Sequence, residues 1–119
     1  MKVRGIRWLG TPTARYAETV AFARDVLGMT LQLEQDDFAV FHAENGDTFE
    51  VFGPKGIADG HRFMVAPVAG FEVDDVAAAR REMEAKGIRF IGELHAGSSS
   101  AWSHFYGPDG HVYEITSRS

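Results

Sequence analysis

With 119 residues, 45% of them hydrophobic, the chain can bury one core without staples and has no length for a second, so residues 1–119 are expected to form one domain. Cysteine is absent, which excludes a disulfide framework, a thiolate nucleophile and a Cys-type zinc site and suits a reducing compartment. Twelve Lys and Arg, scattered, against 17 Asp and Glu give a net charge of −5, and no run approaches the roughly 18 apolar residues of a membrane span. A soluble, cytoplasmic protein with neither a nucleic-acid nor a membrane partner is therefore expected.

In chain order, VRGIRWLG at 3–10 is short, β-prone and closed by a glycine, and predicts a strand. Residues 14–27 place Tyr16, Val20, Ala23 and Leu27 at helical spacing, with Thr13 or Arg15 at the cap and Gly28 just past the end. A cation at Arg15 opposes the helix dipole, which favours Thr13 as the cap. Apolar runs at Met29–Leu33, Phe38–Ala43 and Thr48–Phe52 predict three strands, separated by Asp36-Asp37 and by Asn45-Gly46, the latter a strong hairpin signal. The first half, about 1–60, thus reads βαβββ.

The same order returns over about 61–119. FMVAPVAGFEV at 63–73 predicts a strand; Asp74 or Asp75 caps a helix carrying Val76, Ala79 and Met83, and Gly87 ends it. Strands follow at Ile88–Leu94, Trp102–Tyr106 and Val112–Thr116, the last two joined by Gly107-Pro108-Asp109-Gly110. Leu27-Gly28 and Lys86-Gly87 lie 59 apart, whereas Glu50 and Glu114, in a shared G-x-x-[FY]-E-[VI] pattern, lie 64 apart. The second half therefore holds roughly five extra residues, placed in the loop at 96–100, and the whole is a twofold repeat. Alternation along the strands puts Phe49 and Val51 opposite Glu50, and Tyr113 and Ile115 opposite Glu114. The apolar faces should pack on the helices, leaving both carboxylates on the other side.

Four segments resemble one family. FARDVLGM at 22–29, FEVFGP at 49–54, GFEVDDVAAARREMEAKGIRF at 70–90 and GPDGHVYEIT at 107–116 are similar, in order and spacing, to segments of the vicinal-oxygen-chelate superfamily of glyoxalases, bleomycin-resistance proteins and extradiol dioxygenases. The resemblance implies an α+β fold in which two βαβββ modules form a U-shaped mixed sheet around a cleft, often as a homodimer. It also implies four metal-ligand positions, which fall here on Trp8, Glu50, Val68 and Glu114. The indole of Trp8 only donates and Val68 offers no donor, so both nitrogen ligands are gone. Two carboxylates hold a hard cation weakly; no cofactor is expected, and a divalent metal, if one binds, would use Glu50, Glu114 and His104.

His104 lies in the strand paired with that of Glu114, and a one-residue slip of the hairpin decides whether it faces Glu114 or turns away. His42 is expected to pack half-buried at a strand end, and His61, His95 and His111 to sit solvated in loops or beside turns. Ser98-Ser99-Ser100 has no flanking base and reads as a loop. The ligand-binding candidates are Trp8, Glu50, Phe52, Val68, Trp102, His104 and Glu114, with Trp8 either a stacking platform or core filling. Three readings follow: a metal-independent protein binding an aromatic or cationic small molecule; a divergent metal-dependent lyase, isomerase or dioxygenase with Glu50, Glu114 and His104 as its catalytic candidates; or a regulatory or interaction module with a vestigial cleft.

Overall fold

The computed structural model describes residues 1–57, 65–97 and 100–118, so the expectations for His61, Ser98, Ser99 and the start of the 63–73 strand lie outside the described residues. The fold is α+β, and its elements repeat in the order strand, helix, three strands. They group into two compact units, Trp8–Val68 and a second made of Ala69–Ser119 together with Met1–Arg7.

The first unit contains most of β1 (Gly5–Pro12), then α1 (Tyr16–Ala21), β2 (Thr30–Gln35), β3 (Phe38–His42) and β4 (Thr48–Phe52). Its strands lie in the order β2-β3-β4-β1, with β1 parallel to β4 and the other neighbours antiparallel. Val20, Ala23, Ala39, Phe41 and Val51 form its buried core, with Phe49 packed against them. The predicted helix does not stay α-helical to residue 27: Phe22–Val26 form a π-helical turn, in which the Leu27 amide donates to the Phe22 carbonyl at 3.0 Å. A π-turn inserts one residue into the helical repeat, so the Tyr16-Val20-Ala23-Leu27 stripe breaks. Leu27 is exposed, and Met29 packs on the core in its place. Arg15 occupies the cap position with no side-chain cap bond, while the Thr13 hydroxyl accepts the Arg15 amide at 2.9 Å.

Both hairpins of this unit form. Asp36 and Asp37 both have positive φ, 49° and 65°, the mirror-image turn whose twist matches paired strands. That conformation is costly without glycine, and neighbours hold it: Gly53 donates to the Asp37 carbonyl at 2.8 Å and the Lys55 amide to its carboxylate at 2.9 Å. Asn45-Gly46 instead closes a longer loop from Ala43 to Asp47, in which only Gly46 has positive φ.

In the second unit β5 (Val68–Glu72), α2 (Val76–Ala85), β6 (Phe90–Ala96), β7 (Ser100–Tyr106) and β8 (Val112–Arg118) give the strand order β5-β8-β7-β6. Here β5 and β8 are parallel, the other pairs antiparallel. The strand β5 begins only after Pro67, which has no amide to give to a ladder. The Asp75 carboxylate accepts the Ala78 amide at 2.9 Å and so settles the cap on the second of two aspartates. Val76, Ala79 and Met83 face Val73, Phe105 and Ile115, with Phe71 and Tyr113 at the margin. In both units the residues that flank the glutamate on the last strand point to the helix, and the glutamate points away.

Candidate functional site

The register of β7 against β8 answers the question that the hairpin left open. His104 pairs with Glu114, so the two side chains share the face turned from α2. Glu114 is in turn paired with Gly70 of β5, and His104 with Ile91 of β6. His104 Nε2 lies 2.9 Å from Glu114 Oε1, and the two side chains are only 2% and 5% exposed. Burial governs their protonation: it pushes the Glu114 carboxyl up to about 8 and His104 down to about 4. Removal from water penalises a carboxylate and an imidazolium alike. Near neutral pH the pair is uncharged overall and carries one titratable proton.

Alternation along β7 puts Trp102 beside His104 on this face, where the indole stacks on His95 with ring centroids 5.4 Å apart and planes 18° apart. His95 therefore differs from its expected place in a loop, because β6 runs on to Ala96 past a bulge between Ile91 and His95. Tyr106 is covered by Arg89, whose guanidinium carbon lies 4.6 Å from the ring centre. On the far side of β7, Ser103 is buried and its hydroxyl accepts from Arg80 at 3.0 Å. This contact between α2 and β7 fixes the strand next to His104.

The equivalent face of the first unit repeats the layout with different chemistry. Glu50 pairs with Gly10 on one side and with Val40 on the other, as Glu114 pairs with Gly70 and His104. The imidazole thus has an apolar counterpart in the first half. Trp8, two residues before Gly10, lies flat along its own strand: a β-carbon at residue 10 would fall 2.2 Å from the indole. Phe52 is buried and packs on Phe38 at 5.0 Å, Val68 is buried, and His42 is half-buried at the end of β3. His111 is exposed, 3.3 Å from Asp109. Gly10 and Gly70 escaped the sequence reading, although the 60-residue offset between Trp8-x-Gly10 and Val68-x-Gly70 carried the signal.

A family model matches residues 5–115, that of the Glyoxalase/Bleomycin resistance protein/Dioxygenase superfamily. The chain belongs to this superfamily. No curated protein matches it significantly by sequence. Among solved structures it is similar to methylmalonyl-CoA epimerase from Mycobacterium tuberculosis, at 19% identity and a TM-score of 0.74, covering 98% of this chain and 89% of that one. A superfamily member from Vibrio splendidus 12B01 superposes at 0.68 and 16% identity over 98% and 99% of the two chains. The Mn(II)-bound glyoxalase from Novosphingobium aromaticivorans gives 0.73 at 25% identity, covering 98% of this chain and 39% of that one.

The donor set bears on whether a superfamily metal would fit. A catalytic zinc ion takes three protein ligands, and the described residues contain no group of three His, Asp or Glu side chains placed to hold an ion. The described residues do not make that site. No described helix is long and apolar enough to cross a membrane.

Proposed function

We propose that this superfamily member binds a planar, largely apolar small molecule on the face bearing Trp102, His104 and Glu114, without a metal ion. The observation that carries the reading is the buried, uncharged His104–Glu114 pair, 2.9 Å apart, on the strand where the resemblance expects a ligating carboxylate. At 2.9 Å a protonated Glu114 carboxyl spends its proton on the His104 imidazole, so the buried pair makes a neutral polar floor rather than a charged one. It offers no charge to draw in a cation, so of the aromatic and cationic ligands considered from sequence the aromatic one is favoured. The Trp102–His95 stack supplies flat apolar area close by, and Gly70 leaves the strand beside Glu114 bare of side chain.

A second reading, a metal-dependent lyase, isomerase or dioxygenase, draws support from the same 2.9 Å, a separation that two donors to one ion also adopt. The two readings part in one experiment. Untagged protein is analysed for metal, then screened against a library of aromatic compounds by thermal shift and by quenching of Trp102, with and without chelator. Under the first reading a binder raises the melting temperature equally in both conditions, and Glu114→Gln weakens it. Stoichiometric manganese, zinc, nickel or iron that disappears in Glu114→Ala would establish the second reading instead.

A further inference from the structure

The bulge in β6 decides which side chain stands beside Trp102. Ile91 pairs with His104 and His95 with Trp102, so three residues of β6, 92–94, lie across from Ser103 alone. Gly92 makes the detour with a positive φ of 66°, and Leu94 returns to the core of its unit. A ladder continued regularly from Ile91 and His104 would have set Glu93 against Trp102. The two added residues keep the faces of the strand in phase and put an imidazole where that carboxylate would stand. An indole presents a negative π-face, which a carboxylate repels and a flat imidazole covers.

The stack also has a side. Within its unit β6 is the outermost strand, and β7 lies between it and β8. His95 therefore covers the indole from the sheet edge, with ring planes 18° apart, and the opposite face of Trp102 looks toward β8. There it meets Thr116, the β8 partner of Trp102, whose hydroxyl is turned aside to the Ala101 carbonyl at 3.3 Å. Thr116 and Glu114 are alternate residues of β8, so they share the candidate face about 7 Å apart. We infer that His95 is a positioning residue: it backs the Trp102 indole so that a planar ring stacks on the other indole face, over Thr116, and reaches the His104–Glu114 pair with its edge. A fused bicyclic ring with one polar group at its end spans that separation. This rests on the reading of the face as the ligand site, and it narrows the ligand from a planar molecule to a stacking bicyclic one.

Nuclear magnetic resonance tests both halves of the inference. In the wild type the Trp102 ring should show a nuclear Overhauser contact with the Thr116 methyl group. His95→Phe, which restores a flat ring, should keep that contact; His95→Ala should lose most of it while far-ultraviolet circular dichroism stays unchanged, since His95 is exposed on an edge strand. Next 2-naphthol, planar and bicyclic with one hydroxyl, is titrated and followed by the Trp102 indole signal, which is assigned by its absence from Trp102→Phe. It should bind the wild type and His95→Phe alike and His95→Ala roughly three- to tenfold more weakly, the worth of one aromatic pair. Absence of the contact from the wild type, its retention in His95→Ala, or equal affinity of the two overturns the role of His95. Failure of 2-naphthol where another aromatic compound stabilises the wild type overturns the bicyclic ligand alone. No aromatic binder at all overturns the reading of the face, while the methyl contact still decides what His95 does.

Discussion

The buried His104–Glu114 pair makes folding stability depend on pH in a defined window. Glu114 keeps its proton in the folded protein up to about 8, whereas the unfolded chain releases it above its ordinary value of 4.5. Its contribution to stability therefore declines between those values as pH rises. His104 behaves in the opposite sense: below its ordinary 6.5 the unfolded chain takes up a proton that the folded protein refuses down to about 4, so its contribution grows with pH across that range. Between 4.5 and 6.5 the two slopes cancel. Above 6.5 only Glu114 is left, and at about 1.4 kcal/mol per pH unit the fold loses roughly 2 kcal/mol by pH 8. Other shifted groups act elsewhere. Asp25, Asp74 and Glu82 are held low by hydrogen bonds from Arg24, Arg4 and the N-terminal amine, and Asp109 by the Tyr113 hydroxyl. Burial raises Tyr16 to about 12, and the bond to Asp109 raises Tyr113 above 10.

Urea unfolding at closely spaced pH values from 4 to 9 measures this directly. The wild-type curve should be flat from 4.5 to 6.5 and then fall. Glu114→Gln keeps the rise due to His104 and loses the fall, so it should gain about 2 kcal/mol on the wild type between pH 6.5 and 8. A wild-type curve that is flat or rising across that interval, or a parallel fall in Glu114→Gln, would refute the reasoning. An imidazolium–carboxylate pair would hold the same single proton and give the same wild-type curve, because linkage counts protons without locating them. Infrared absorption by a protonated carboxyl at pH 7, lost in Glu114→Gln, places the proton on the glutamate.

Three substitutions test local packing and capping. Gly56→Ala puts a methyl group 2.1 Å from the Asp37 carbonyl oxygen, a backbone atom that cannot swing away, and should lower stability by about 1–3 kcal/mol in a thermal or urea melt. Gly10→Ala meets the Trp8 ring first, a side chain that can swing, so the expected result is a displaced indole and a shifted Trp8 emission in a Trp102→Phe background, with the fold retained. Removing the helix cap with Asp75→Ala should cost about 1 kcal/mol, read by urea unfolding, since the Ala78 amide loses its carboxylate acceptor.

Much of the fold could be read from spacing alone. The repeated glycine ends, the matching G-x-x-[FY]-E-[VI] segments and the strand alternation located eight strands and two helices and put Glu50 and Glu114 on the faces turned from the helices. The misreadings have local causes. Leu27 leaves the stripe that its spacing with Val20 and Ala23 predicts because periodicity assumes 3.6 residues per turn, and a single inserted residue leaves no mark in composition. The facing of His104 could not be derived, since a slip of one residue in the Gly107–Gly110 turn exchanges the two faces of β7, and only the ladder fixes it. His95 was missed because a bulge carries β6 beyond the apolar run that announced it. The glycines opposite the two glutamates have no side chain to attract notice, and only lining up the halves brings them out.

The first strand begins in one compact unit and finishes in the other: Gly5–Arg7 go with the second half of the chain, Trp8–Pro12 with the first. The Arg4 amide donates to the Glu72 carbonyl at 2.7 Å, and its guanidinium pairs with Asp74 at the same distance. The repeat unit of the sequence and the compact unit of the fold are consequently different objects. Cutting the polypeptide at the repeat boundary near residue 60 would leave the downstream fragment short of these contacts, so an engineer wishing to express, shuffle or permute the halves should carry the first seven residues along with the C-terminal piece.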